Sequence, residues 1–88
     1  MNLTPEQYAE IVISKAYKVE NTYNLAKAIA RVADKYAKWV MEYRNRQHWA
    51  TDGTPEQENY IAQKQQEAFI KREAYRLALI TLTNKVPK

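Results

Sequence analysis

Thr4-Pro5-Glu6-Gln7 and Thr54-Pro55-Glu56-Gln57 are two copies of one helix-start signal, and no other feature constrains the fold as strongly. A threonine hydroxyl caps the first free N–H groups, and proline at the first helical position gives up no hydrogen bond. Glutamine three residues after the threonine completes a capping box. No proline lies between the two starts, and the single glycine is Gly53, so nothing stops the first helical segment before His48-Trp49-Ala50-Thr51-Asp52-Gly53. The expectation is an all-α fold built on a long antiparallel helical hairpin, with a loop at 49–53 and a long helix at 54–84.

The apolar pattern asks for more than one partner. Val12, Ala16, Val19, Tyr23, Ala26, Ala30, Ala33, Ala37 and Val40 alternate spacings of four and three, the period of a helix–helix seam. A second stripe about 100° round the helix carries Tyr8, Ile11, Leu25, Ile29, Val32, Tyr36, Trp39 and Tyr43. Together they form an apolar arc of roughly 200°, wider than one neighbour covers. A helix from Pro5 to Gln47 would be roughly 60 Å long and one from Pro55 to Asn84 about 45 Å, so everything before about residue 18 overhangs. Either that segment folds back as a separate N-terminal helix over 4–20, with a break in Glu20-Asn21-Thr22-Tyr23-Asn24 and a long helix over 22–48, or it packs on another subunit. The break is the favoured reading. With 88 residues in a single helical domain, buried seams shared between copies supply what a small core lacks, so a homo-oligomeric helical bundle is expected.

Composition excludes several chemistries. The absence of cysteine removes disulfides and thiolate metal sites, and one histidine without a dense carboxylate cluster argues against a metal. The sequence expectation is that no cofactor is bound. Catalysis needs a nucleophile with a base, paired carboxylates in a pocket, or a phosphate loop. Ser14 is the lone serine, in a helical run, and the acids are scattered at helical spacing, so no catalytic residue is expected and the chain is read as a non-enzyme. No signal peptide or transmembrane span is legible, which makes the expected location cytoplasmic and the expected membrane contact none.

The net charge is +4 and uneven: residues 15–49 hold eight Lys and Arg against three Asp and Glu. A basic stretch reads either as a surface for an anionic partner or as a solvated face that keeps an oligomer soluble. Two regions interleave cations with rings. At the hairpin tip stand Lys35, Lys38, Trp39, Tyr43, Arg44, Arg46, His48 and Trp49, where Trp39 and Tyr43 also fit the apolar stripe and favour core packing. Toward the other end, antiparallel pairing would bring Tyr23, Lys27 and Arg31 near Arg72 and Arg76, with Tyr8, Lys15 and Lys18 on the overhanging segment. Cations beside tyrosines can hold a compact phosphate-bearing ligand, so the candidate ligand-binding residues are Tyr8, Tyr23, Lys27, Arg31, Arg72 and Arg76. In the second helix Ile61, Ala68, Tyr75, Leu79 and Leu82 follow one seam and Ala62, Phe69 and Ile80 a neighbouring one. Gln65, Gln66, Arg72, Glu73 and Arg76 interrupt them as a polar layer, either an Arg–Glu pairing that fixes register or a ligand-facing set.

Lys64-Gln65-Gln66-Glu67-Ala68-Phe69-Ile70, followed by Ala74 and Ala78, resembles the C-terminal helix of the hairpin domain in phage-encoded cyclic-nucleotide sponges that counter CBASS immunity. Residues 28–37 are similar to the helix preceding it, so the likeness covers about half of the chain. The resemblance implies a compact helical oligomer without catalysis, in which cyclic di- or trinucleotides are held by tyrosine and lysine stacking with arginine at phosphate.

The leading expectation is therefore a non-catalytic homo-oligomer that binds and sequesters a small anionic nucleotide and antagonises a host signalling or immune response, in the host cytoplasm if phage-encoded. The alternative is a small inhibitor or adaptor that binds a host protein through its apolar helical face. Sequence-specific DNA binding ranks third, since no helix-turn-helix spacing is evident.

Overall fold

A computed structural model describes residues 3–20, 25–50 and 52–86. Within them the chain is all-α, with α1 Pro5–Glu20, α2 Leu25–Arg46 and α3 Pro55–Thr83. The expected break and the expected start of the second helix at 22–24 lie outside the described residues.

Both helix starts fall where the threonine–proline signals stand. At α1 the capping box closes: the Thr4 N–H donates to Gln7 Oε1 at 3.0 Å and the Gln7 N–H to Thr4 Oγ1 at 3.2 Å. At α3 the Gln57 N–H donates to Thr54 Oγ1 at 3.3 Å, but the reciprocal partner differs from expectation. Both the N–H and the hydroxyl of Thr54 donate to Asp52 Oδ1, at 3.0 and 2.9 Å. These bonds to Thr54 hold the Asp52 carboxyl below its usual range. Gly53, at φ +88°, provides the left-handed residue that lets Asp52 reach back over the cap. The α2 helix stops at Arg46, two residues before the expected end. Its last turn tightens as Gln47, His48 and Trp49 donate to the carbonyls of Arg44, Asn45 and Arg46.

All three helices pack on one another. The core is small: Ala9, Val12 and Ala16 of α1 meet Ala28 and Val32 of α2 and Ala74, Ala78 and Leu82 of α3. Alanine at such positions lets helix axes approach toward the short end of the usual 8–10 Å spacing. The body measures 51 × 24 × 20 Å. At about 1.5 Å per residue α1 is some 24 Å long, so it flanks only part of the roughly 43 Å α3.

The core face of α2 is not the one the alanine seam indicates. Ala26, Ala30 and Ala37 are exposed, and Ala28, Val32 and Trp39 are buried instead. In α3, Ile61, Ala68 and Leu82 are buried as expected, joined by Ala74 and Ala78, while Phe69 and Ile80 of the neighbouring seam stand exposed. Within the polar layer, Gln65 Nε2 donates to the Arg46 carbonyl at 2.7 Å, and Glu73 pairs with both Arg72 and Arg76.

Candidate ligand-binding groove

Tyr8, Ile11, Val12 and Lys15 recur at spacings of three, one and three, which puts them along one side of α1. Arg31 and Lys35, four apart, do the same on α2. Where these sides meet, with Tyr75 of α3, they enclose a groove of about 200 Å³. Val12, Ala16 and Val32 are its buried members, and Ile11, Lys15, Arg31 and Lys35 are its exposed ones. Among the described residues no carboxylate lines it. Lys15, Arg31 and Lys35 give the groove a basic lining beside its apolar wall.

Two tyrosines are among its lining residues. The Tyr8 and Tyr75 rings meet edge to face, with centroids 6.2 Å apart. Burial, followed by its interactions with Tyr8, pushes the Tyr75 phenol up to about 12. It therefore stays protonated across the physiological range, with its hydroxyl hydrogen-bonded to that of Tyr8. Tyr8 also lines a larger groove of about 950 Å³, formed with Leu3, Ala62, Gln63, Gln66, Glu67, Ile70 and Lys71. The Lys71 ammonium lies 5.9 Å from the centre of the Tyr8 ring.

The candidate residues divide. Tyr8 and Arg31 line the 200 Å³ groove together. Lys27 is exposed on α2 and does not line it. Tyr23 lies outside the described residues. Arg72 and Arg76 sit elsewhere: the Arg72 guanidinium lies 4.2 Å from the Tyr43 ring centre and 5.3 Å from that of Phe69, and Arg76 pairs with Glu73. Neither of these two arginines lines the groove that Arg31 lines. Their interleaved rings and acid engage them within the α2–α3 face, where cation–π contact and ion pairing satisfy the guanidinium charge. Lys35, assigned to the tip in the sequence, and Tyr75, assigned to a seam, belong to the groove. The i, i+4 pair Arg31–Lys35 was a visible signal, but only the packing of α1 on α2 shows that it faces Lys15.

Toward the end of α2, rings and cations are engaged with one another. Trp39 is buried, and the charged groups of Lys38, Arg46 and Lys71 lie 5.5, 5.4 and 4.6 Å from its ring centre. Arg46 reaches Trp49 as well, at 5.6 Å. It donates to the Lys64 carbonyl at 2.7 Å and to Glu42 at 3.2 Å. This arrangement ties α2 to α3. The residues that carry the resemblance have local structural duties too: Glu67 pairs with Lys64 and Lys71 at 3.6 and 3.5 Å, and Ala68 is fully buried.

Among the described residues no group of three or more His, Asp or Glu is placed to hold a metal ion, and no helix is long and apolar enough to cross a membrane. Comparison with known proteins finds no match for the chain in any family model, curated protein or solved structure.

Proposed function

We propose that the chain is a non-catalytic binding protein that sequesters a phosphate-rich nucleotide, such as a cyclic di- or trinucleotide, and so antagonises a host signalling or immune response. The phosphate is assigned to the groove between α1 and α2. The observation that carries this reading is that Lys15, Arg31 and Lys35, with Tyr8 and Tyr75, line one groove in which no carboxylate is found among the described residues. A volume of about 200 Å³ suits phosphate better than a whole nucleotide, since drug-sized ligands occupy roughly 300–1,000 Å³. The remainder of the ligand extends past Tyr8 into the adjoining 950 Å³ groove. Among the described residues no serine, histidine or carboxylate lines this groove, which favours holding the ligand over transforming it.

In this reading α2 and α3 form an antiparallel hairpin. Its support is the series of contacts from Arg46 to the Lys64 carbonyl, Tyr43 to Phe69 and Tyr36 to Arg76, in which one number falls as the other rises. The functional unit is a homo-oligomer, favoured by the exposed Phe69 and Ile80.

A thermal-shift panel of pyrophosphate, a nucleoside monophosphate, and cyclic di- and trinucleotides tests the ligand. A compound bound only by the native fold raises Tm by mass action. Arg31→Ala and Lys35→Ala should each weaken the shift, and Lys27→Ala should not. Absence of any anion response, or a response that survives Arg31→Ala and Lys35→Ala together, overturns the reading.

A further inference from the structure

Phe69, Glu73, Arg76 and Ile80 have the same spacing from either end: four, three and four, with apolar residues outermost and opposite charges inside. They follow a different side of α3 from Ala74, Ala78 and Leu82, which enter the core. Phe69 and Ile80 are large apolar side chains left 36% and 45% exposed. Along the same strip α2 contributes half-buried aromatic surface, since Tyr43 packs on Phe69 with ring centres 6.1 Å apart and Tyr36 is close enough to Arg76 to influence it.

We infer that this strip is a self-docking surface, on which α3 of one copy packs antiparallel to α3 of a second copy about a two-fold axis passing between Ala74 and Tyr75. An axis at that point sets Phe69 opposite Ile80 of the second copy and Glu73 opposite Arg76 of the second copy, each contact occurring twice. A helix that satisfies the strip must present apolar, cationic, anionic and apolar groups at these spacings in reverse order, and this chain's own α3 does. Such a contact is isologous and closes as a dimer. Glu73 and Arg76, which pair within one helix, then form a four-charge cluster at the centre of an apolar seam. The inference rests on the self-association proposed above and specifies its surface. The groove of Lys15, Arg31 and Lys35 lies on the α1 side and takes no part.

Sedimentation equilibrium of the full chain at micromolar concentrations tests it, with circular dichroism to establish that each variant is folded. The wild-type chain should dimerise. Glu73→Arg and Arg76→Glu should each weaken dimerisation about tenfold or more, because each sets like charges against one another twice across the axis. An equimolar mixture of the two variants should restore it, because the mixed dimer again pairs every position 73 with an opposite charge at position 76. Phe69→Ser with Ile80→Ser should abolish association and leave helicity unchanged. A wild-type chain that remains monomeric overturns the surface and the proposed oligomer together. Single variants that associate as tightly as wild type, or a mixture no tighter than its components, overturn the surface alone. The pyrophosphate melting shift, measured on the same samples, should persist in the monomeric variants; its absence from wild type counts against the ligand reading and leaves the surface standing.

Discussion

Replacing Arg46 with alanine should destabilise the fold more than any other surface-charge substitution in α2. The Arg46 side chain is only 12% exposed. Its guanidinium donates to the Lys64 carbonyl at 2.7 Å, a charged hydrogen bond of the kind that contributes about 1.5–3 kcal/mol. It also lies 5.4 and 5.6 Å from the ring centres of Trp39 and Trp49, each contact adding about 0.5–1 kcal/mol. The ion pair with Glu42 at 3.2 Å, one turn away, adds about 0.3–0.5 kcal/mol. These contributions share one side chain and overlap, so the expected loss is about 2–4 kcal/mol. Against a total stability of about 4–13 kcal/mol for a chain of this length, that is a large fraction, equivalent to a fall in Tm of roughly 10–25 °C. Arg46→Lys keeps the charge but loses the planar fork and its stacking, and should recover no more than about half. Urea unfolding followed by helical circular dichroism measures the loss, and tryptophan fluorescence reports on Trp39 and Trp49 directly. Arg44→Ala, at an exposed neighbouring position, is the control. A loss for Arg46→Ala below about 0.5 kcal/mol, the usual range for an exposed substitution, would refute the reasoning that this arginine ties α2 to α3.

The alpha-helical caps and the core face yield further tests. Thr54→Ala should cost about 1 kcal/mol, since it removes the acceptor for the Gln57 N–H. The Asp52 carboxyl is held low by its bonds to Thr54, so its contribution is present above the unfolded value near 3.8 and is lost as pH falls through the lower folded value. Stability curves of wild type and Asp52→Asn should therefore converge in acid and separate above pH 4; a constant offset would show that the carboxylate charge plays no part in the cap. Ala28→Leu should destabilise by about 1–3 kcal/mol through overpacking at a site 1% exposed, whereas Ala30→Leu, on the exposed side of α2, should fall within about 0.5 kcal/mol of wild type in the same urea titration.

Helix positions were legible in the residues because the interactions that begin a helix span only three or four of them. The Thr4 and Thr54 hydroxyls reach N–H groups three residues on whatever the rest of the chain does. Even so, the cap of α3 drew on Asp52 where Gln57 was expected, because the bend at Gly53 brings a carboxylate nearer. Which side of α2 enters the core was not legible. Two stripes of similar apolarity run along it, and the burial of Val32 and Trp39 of one in place of Ala30 and Ala37 of the other follows from where α1 and α3 pack, a contact between residues far apart in sequence. The candidate site followed the same rule. Cations and tyrosines were visible as types, and Tyr8 and Arg31 line one groove. Lys15, Lys35 and Tyr75 joined them, and Arg72 and Arg76 left, because periodicity places a side chain on a helix face while only the packing of one helix on another decides what that face meets.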